Sequence, residues 1–512
     1  MVFSLPELLI ATIALLVSLF LYYIKSTRSK NPLLPIDWPI VGVLPSFVAN
    51  LRNFHDYLTV VLAASGGNFK AHGPRAINNT RFFITSDPAN VRHIFTTNHA
   101  NYPKGEEFAE IFDIVRGTIL TDDGEACRKH RGEILIILSN PQMLSLMASC
   151  CQDKVVNGLL PFLARMASTT TPFDIQGLIA RLAFDQIATP VFGVDPGCLS
   201  PDMPSMHAAA AMDTVMEVAF IRHVTSASFW KVMRRLSIGP ERKLAAAHTR
   251  LHGFVTEMME KRKARRVYLD EEQNKVASVD ILSSVMTDPE CSDELLRKKL
   301  IVSMIAGRDT VGTTLPWVFY NLANNPDVVS RIRKELAPIA SRKGGAVVSK
   351  DTMVVFEPKE TKSLVYLEAT LFESLRLYPP VPFERKAVLA DDVLPSGHEV
   401  HCGETILISI YAMGRMESVW GKDCHEYKPE RWLSEDGAKL RHVPSHKFLA
   451  FNSGPRMCLG KDIAIMQMKT VVAAVVWNFD VEVLEGQRVE PKLSFLLQMK
   501  NGLMVMVNKR EE

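Results

Sequence analysis

Apolar residues recur at helical spacing over most of the chain. One set of four leucines stands three or four residues apart: Leu364, Leu367, Leu371 and Leu375. Pro379-Pro380 follows them and cannot continue a helix, so the pattern predicts a helix that ends before Pro379. Residues 143–246 are rich in Ala, Leu, Met and Val with scattered charges, which is typical of several amphipathic helices.

Strand signals are few. Residues 82–85 read Phe-Phe-Ile-Thr and are followed by Asp87-Pro88, which predicts a short strand closed by a turn. Residues 108–120 mix apolar and polar positions without a clean period, and we expect a connecting loop there. These patterns predict several helices and a small β-region early in the chain.

One predicted helix is interrupted in an unusual way. Ser292 is a suitable N-cap, and six residues supply a broad apolar face: Leu295, Leu296, Leu300, Ile301, Met304 and Ile305. Gly307, Gly312 and Pro316 then follow, at a cost of about 1 kcal/mol for Gly and about 3 kcal/mol for Pro in a helix interior. Residues that disfavour a helix inside an otherwise helical pattern are expected at functional or strained sites.

The N-terminal region predicts a membrane anchor. Residues 8–24 carry no charge; Glu7 precedes them and three basic residues follow: Lys25, Arg28 and Lys30. By the positive-inside rule this places the body of the protein in the cytoplasm. A cleaved signal peptide is the alternative, but its basic residues would precede the apolar run. We therefore expect an anchor over 1–30, a proline-rich hinge over 31–45 and one catalytic domain over 46–512.

Composition narrows the class of protein. The chain has 512 residues without a long Gly/Ser linker or internal repeat, which favours one large domain. Its net charge of +3 is too small to indicate nucleic-acid binding. Eight cysteines without regular spacing, including the pair Cys150-Cys151, indicate a reducing compartment.

The segment 451–460, FNSGPRMCLG, carries the strongest chemical signal. It places Cys458 among turn-forming residues, directly before an apolar helical pattern. Turn N–H groups and a helix N-terminus lower a thiol pKa, so this environment suits a thiolate metal ligand. A lone cysteine is more often an inert buried thiol, so the signal depends on the neighbouring residues.

Those neighbours resemble a known signature. The spacing Phe451-x-x-Gly454-x-Arg456-x-Cys458-x-Gly460 resembles the haem-thiolate motif of the cytochrome P-450 monooxygenases. The resemblance implies the cytochrome P-450 fold, which is mainly α with a small β-region and has haem b (iron protoporphyrin IX) buried between helices. It also implies that Cys458 is the axial iron ligand, that Arg456 pairs with a haem propionate and that Phe451 packs near the sulfur.

Two further segments match the same family. Ala306-Gly307-Arg308-Asp309-Thr310 resembles its Ala-Gly-x-Asp-Thr motif, in which the threonine holds a water and the aspartate connects it to solvent. The simpler alternative is that Thr310 bonds back to the carbonyl one turn earlier. Arg131 matches a family arginine that donates to a propionate, although it could be only part of a solvated basic face. Cys127 replaces the tryptophan that usually stands four residues before that arginine.

The resemblance assigns further roles by position. Glu373 and Arg376 match its Glu-x-x-Arg pair, and Arg431 would complete a buried structural network behind the haem. Lys386, or its neighbour Arg385, would reach a propionate. Substrate-pocket residues would be Phe108, Phe112, Ile114, Ala306, Val381, Pro382, Phe383 and Leu496, the last within a loop over 495–498.

Function follows at two levels. The family implies a monooxygenase-type oxidoreductase at the endoplasmic reticulum membrane. It would receive electrons from NADPH-cytochrome P-450 reductase, an acidic flavoprotein. Four basic residues suit an acidic partner of this kind: Arg128, Lys129, Lys447 and Lys461.

Residues 101–105 and 306–310 look like the plant fatty-acid and alkane hydroxylases. Residues 310–317, with Cys127, look more like the alkaloid-forming noroxomaritidine synthase type, which couples two phenol rings of 4′-O-methylnorbelladine. Long-chain hydroxylation and a membrane-anchored haem-binding protein without turnover are the alternatives.

Overall fold

The structure is a computed structural model that describes residues 31–38, 40–73, 81–271, 280–286, 291–343 and 353–510. The predicted anchor lies outside the described residues. Within them, no single helix is both long and apolar enough to span a bilayer. One pair bent by 69°, Gly124–Leu138 with Pro141–Thr169, meets that requirement on length and composition only.

Helices account for most of the described chain. The α-helices are, in order, α1 Leu44–Ala49, α2 Phe54–Ala64, α3 Pro88–Arg92, α4 Gly105–Ile111, α5 Gly124–Leu138, α6 Pro141–Lys154, α7 Leu160–Thr169, α8 Ile175–Phe192, α9 His207–Val224, α10 Ala227–Arg235, α11 Gly239–Glu271, α12 Ile281–Met286, α13 Asp293–Met304, α14 Thr310–Ala323, α15 Pro326–Lys343, α16 Pro358–Thr361, α17 Val365–Leu377, α18 Ile410–Met413, α19 Glu417–Trp420 and α20 Lys461–Asn478. The predicted mainly α fold is confirmed, as is the prediction of several helices within residues 143–246.

The β-region is small. Its strands are β1 Asn68–His72, β2 Arg81–Thr85, β3 Phe173–Asp174, β4 Phe383–Ala387, β5 Asp392–Val393, β6 Glu399–Val400, β7 Thr405–Ser409, β8 Phe479–Val483 and β9 Met504–Lys509. They form a four-stranded sheet in the order β1-β2-β7-β4, a three-stranded sheet β3-β9-β8 and the pair β5-β6. Only β2 and β7 pair in parallel among the described strands.

Most local predictions match this architecture. Strand β2 covers the predicted strand, and the leucine helix α17 ends at Leu377, before Pro379. Ser292 caps α13 by accepting a hydrogen bond from the Leu295 N–H at 3.2 Å. The expected loop over 108–120 was wrong in part, because α4 runs to Ile111 and a 3₁₀ turn covers Asp113–Val115. Burial of Phe108 and its neighbours holds this short helix in place.

One helical rod crosses the centre of the fold. Helices α13 and α14 are continuous through a π-helical turn at Ile305–Asp309, and we call the whole of 293–323 the central helix. Gly307 lies in that turn. A β-carbon there would stand 2.5 Å from the Ile187 side chain of α8, so only glycine allows this approach. The glycine that interrupts the predicted pattern therefore lets α8 pack closely against this turn.

The hinge segment packs on the first sheet. Trp38 and Gly42 exchange two backbone hydrogen bonds of 3.0 Å, and the Val43 N–H donates to the His72 carbonyl of β1 at 2.8 Å. Gly42 has φ +60°, and a β-carbon there would lie 1.8 Å from the His72 oxygen. This part of the hinge is tied to the domain by its backbone.

Candidate functional site

The segment before α20 holds Cys458 in a tight loop. The Cys458 N–H donates to the Phe451 carbonyl at 2.8 Å and closes the loop. Gly454 has φ +58°, and a β-carbon there would stand 2.1 Å from the Phe95 carbonyl oxygen, so the motif glycine is required by a close backbone approach. The Cys458 side chain is exposed at the end of this loop.

The electrostatics of the thiol differ from the expectation. Although the Cys458 side chain is accessible, the surrounding protein atoms desolvate its sulfur and raise the pKa of the thiol, while the Gly460 N–H, Arg131 and Lys461 each act to lower the pKa. The expected net lowering of the thiol pKa was therefore wrong. The turn and the cations are present, but desolvation of the sulfur outweighs their effect on the pKa.

A buried network supports the loop from behind. Glu373, which is fully buried, accepts hydrogen bonds from Arg376 Nη2 at 2.7 Å and Nε at 2.8 Å. It also accepts from the Trp432 Nε1–H at 2.8 Å, and Arg431 Nε lies 3.4 Å away. The structure thus brings together the three residues of the predicted network, and it adds Trp432.

Aromatic contacts connect this network to the cysteine loop. The Trp432 ring lies 4.5 Å from that of Phe448, which lies 6.3 Å from that of Phe451. The Phe451 carbonyl is the acceptor for Cys458. Side-chain packing therefore connects the buried ion pair to the cysteine loop.

The central helix presents a small exposed surface inside the fold. Ala306 is exposed between the buried residues Ile305 and Arg308, and Thr310 is partly exposed. The Thr310 hydroxyl donates to the Ala306 carbonyl at 2.8 Å. The Thr310 hydroxyl thus bonds back to the carbonyl one turn earlier, as the simpler alternative for this residue predicted. Its side chain still borders the exposed surface at Ala306.

Asp309 lies on the other side of the same turn. Arg308 Nη1 donates to Asp309 Oδ1 and to Asp213 Oδ1 of α9, both at 2.6 Å, while Asp309 Oδ2 and Arg308 Nε are buried without a partner. Burial raises the pKa of Asp309 to about 6 even though Arg308 opposes the rise. A polar cavity of about 170 Å³ reaches these residues and is also lined by Gln498 and Lys492. Asp309 thus lies at the wall of a polar cavity, with its carboxyl group buried.

A cluster of cations lies between the cysteine loop and β4. Its members are Lys104, Arg131, Lys386 and Arg456, with the carboxylates Asp123 and Glu384 among them. The two lysines lie within 3.8 Å and 3.5 Å of one Glu384 oxygen, and burial lowers the pKa of Lys386 to about 8. Four cations against two carboxylates leave two positive charges uncompensated within this cluster.

The two arginines of the cluster also fix the loop. Arg131 Nη2 donates to the Met457 carbonyl at 2.7 Å, one residue before the cysteine. Arg456 donates to Asp123 Oδ1 at 2.5 Å and to the carbonyls of Ile119 and Asp122. Cys127, at the position of the usual tryptophan, is buried in α5 and provides no comparable donor.

Six of the eight predicted pocket residues lie in or against one apolar core that contains an aromatic cluster, whereas Ala306 and Pro382 are not among its residues. The ring centroids of Phe108 and Phe112 lie 4.9 Å apart, and Phe495 lies 4.9 Å from Phe112 and 5.4 Å from Phe383. The same apolar core contains Leu496, Ile114 and Ile305, and Val381 packs against it. The structure thus joins segments that are up to about 390 residues apart in sequence.

Sequence reasoning missed several members of the site. Lys104 falls within residues 101–105, which carry only a family resemblance in the sequence, and no role is predicted for Asp123 or His223. Each acquires its place through contacts with remote segments, for example Lys104 with Glu384. Lys104 is buried, with only 8% of the residue exposed, and the residues next to it in sequence gave no indication of this burial.

The comparisons with known proteins agree with one family. The family model described as Cytochrome P-450 matches residues 32–507. Noroxomaritidine synthase of Narcissus aff. pseudonarcissus MK-2014 is 38% identical over 506 residues, covering 99% of this chain and 96% of its own length. Cytochrome P-450 86B1 of Arabidopsis thaliana is 38% identical over 507 residues, with coverages of 97% and 89%. Alkane hydroxylase MAH1 of the same plant is 36% identical over 502 residues, 97% of each chain.

Proposed function

Because this chain belongs to the cytochrome P-450 family and is an oxidoreductase, we propose that it binds haem b through Cys458 and couples the two phenol rings of 4′-O-methylnorbelladine, as the noroxomaritidine synthases do. Two hydrogen atoms leave the substrate, and dioxygen takes up these, two electrons and two protons to give two waters. The new carbon–carbon bond contains no added oxygen.

The residues at the site fit a haem. Cys458 is an exposed thiol outside any cluster of potential metal ligands, since the described residues contain no group of three or more His, Cys, Asp or Glu side chains arranged for a metal ion. One protein ligand suffices where a porphyrin supplies the others. The two uncompensated positive charges of the cation cluster match the two propionates, which Arg131, Lys386 and Arg456 would hold. We add Lys104 to these three residues because it lies in the same cation cluster.

A thiolate-ligated haem, when bound, activates dioxygen for hydrogen abstraction or oxygen transfer. The chain must supply protons to this reaction. We assign that role to Thr310, which borders the open surface, and Asp309, whose free Oδ2 and raised pKa suit a group that exchanges protons near neutrality. The polar cavity at Asp309 would connect the pair to solvent.

The observation that carries phenol coupling is the compact aromatic cluster of Phe108, Phe112, Phe383 and Phe495. Aromatic rings pack favourably against one another at such distances. We propose that the substrate binds beside these rings, where a molecule with two aromatic rings would pack well, whereas a long alkyl chain suits a narrow apolar tunnel.

Hydroxylation of long-chain fatty acids or alkanes is the second candidate. It is favoured by the 36% identity to an alkane hydroxylase over nearly the full length of both chains. In that reaction one oxygen atom would enter the substrate and the other would leave as water.

For electron supply we propose NADPH-cytochrome P-450 reductase at the endoplasmic reticulum membrane, with the catalytic domain facing the cytoplasm. Support comes from the uncharged segment 8–24 with basic residues after it, and from the exposed side chains of Arg128 and Lys129 on α5, the helix that also holds Arg131. Acidic surfaces of a reductase would pair with such a basic face.

The test is a product assay on microsomes carrying this chain and a plant reductase, with 4′-O-methylnorbelladine and a long-chain fatty acid offered together. Phenol coupling gives an amine product two hydrogens lighter. If only the fatty acid reacts and gains one oxygen, the coupling proposal is wrong and the hydroxylase reading stands.

Two controls make the assay specific. Microsomes with Cys458→Ser should form neither product. Cys402→Ser changes an exposed cysteine remote in sequence from the loop and should behave as the unmodified protein.

A further inference from the structure

His223 lies at the centre of the aromatic cluster. It is near the end of α9 and only 4% exposed. Its ring centroid lies 5.9 Å from both Phe108 and Phe112, 5.5 Å from Phe383 and 5.2 Å from Phe495. The four phenylalanines come from segments proposed above to line the pocket, and His223 is the polar side chain among them.

The protonation of this ring follows from its contacts. Nδ1 lies 2.7 Å from the Ala219 carbonyl oxygen, and since a carbonyl can only accept, Nδ1 must carry the hydrogen. Burial lowers the pKa of His223 to about 3, with Arg385 and Lys104 acting in the same direction. The imidazole is therefore neutral, and Nε2 holds a lone pair.

That lone pair has no partner. Nε2 is buried and accepts no hydrogen bond within the described structure. Buried polar atoms are nearly always satisfied, and one that is not calls for an explanation. The four phenylalanine rings around it cannot donate a conventional hydrogen bond, so a water or a bound molecule would have to supply the donor.

We infer that His223 determines specificity: its Nε2 accepts a hydrogen bond from the hydroxyl group of a phenolic substrate held among the four phenylalanines. The inference rests on the proposed function, whose substrate class it narrows. A hydrocarbon chain has no donor, and a fatty-acid carboxylate has none at neutral pH. An ammonium group could donate, but the cations Lys104 and Arg385 near the ring disfavour it.

The test compares two ligands that differ only in this donor. These are 4′-O-methylnorbelladine and its derivative with every phenol methylated, and both keep the amine. Binding is measured on the haem-loaded full chain by equilibrium dialysis and by the change in the haem absorbance. We expect the phenol to bind about tenfold more tightly than the ether, which corresponds to one hydrogen bond.

Three variants isolate the acceptor. His223→Phe keeps a ring without the lone pair and should lose about tenfold in affinity for the phenol, with the ether unchanged. His223→Gln keeps an acceptor and should retain part of the preference. His55→Phe is the matched control, because His55 is also 4% exposed with an unpartnered Nε2 but contacts Phe54 and Tyr411 instead.

The outcomes separate the two claims. If His223→Phe weakens phenol and ether equally, or weakens neither, or if the unmodified enzyme does not prefer the phenol, the inference is wrong while the haem-thiolate function stands. If the reduced carbon monoxide complex lacks a thiolate-type absorbance band, the proposed function is wrong and the inference falls with it. Thermal unfolding of each variant identifies any loss that is due to misfolding.

Discussion

The Thr310 hydroxyl donates to the Ala306 carbonyl, 2.8 Å away, across the π-helical turn of the central helix. Such a bond satisfies the hydroxyl within its own helix. It also holds the Thr310 hydroxyl beside Ala306, the one exposed residue of that turn. A water that enters there could replace the Ala306 carbonyl as the hydrogen-bond partner of the hydroxyl.

Thr310→Ala should lower the amount of product formed per NADPH consumed, by severalfold, with more hydrogen peroxide released, because removal of the hydroxyl removes its proposed water site. The ratio is measured in the reconstituted system. Thr314→Ala is the control, since Thr314 makes the same bond to the Thr310 carbonyl at 2.8 Å and is 2% exposed. Equal ratios in the two variants would contradict the role assigned to Thr310.

Asp309→Asn should change how stability depends on pH. The raised pKa of Asp309, about 6, means that the folded protein binds the proton more tightly than the unfolded chain. Stability from this group is therefore present below the carboxyl's ordinary pKa and is lost as pH rises to about 6, by up to roughly 3 kcal/mol.

Urea unfolding of the holoenzyme between pH 4 and 7 checks this prediction. The unfolding free energy of the unmodified protein, relative to Asp309→Asn, should fall over that interval. A difference that rises with pH would mean that the Arg308 ion pair, and not burial, dominates this carboxyl.

Glu373→Gln should destabilise the protein by about 3–5 kcal/mol, because it leaves Arg376 buried without its counter-charge. Haem content should fall too, since the network supports the cysteine loop. Glu430→Gln, at an ion pair with Arg331 that is more than one-third exposed, should cost less than about 1 kcal/mol. Chemical denaturation and pyridine haemochrome assays measure both quantities. Similar losses in the two variants would argue against a supporting role for Glu373.

Gly307→Ala should destabilise the fold by about 1–3 kcal/mol, because its methyl group would overlap the Ile187 side chain. Ile187→Ala should restore part of the loss in the double variant. Gly312→Ala is the matched control in the same helix: its nearest contact is Ala183 at 3.5 Å, so it should be neutral or stabilising by up to about 1 kcal/mol. Thermal unfolding distinguishes these cases, and a neutral Gly307→Ala would contradict the steric account.

Cys458→Ser should abolish the thiolate-type absorbance band of the reduced carbon monoxide complex, because a serine oxygen donates less electron density than a thiolate. The change is measured on purified protein together with haem content. Cys402→Ser should leave the spectrum unchanged. Retention of the band in Cys458→Ser would remove this residue from the metal site.

The sequence by itself determined the features that depend on near neighbours. The leucine period places α17, Ser292 caps α13, and the loop residues around Cys458 specify its tight turns. Helical periodicity, caps and glycine geometry act within a few residues, so they can be read along the chain.

Tertiary structure decided the rest. Lys104 meets Glu384 across 280 residues, His223 meets Phe495 across 272, and the pKa of Cys458 rises where the local motif predicted a fall. Charge compensation, desolvation and the contents of a pocket depend on which remote segments pack together. The family and the thiol could therefore be predicted from local pattern, whereas the cation cluster and the buried imidazole required the fold.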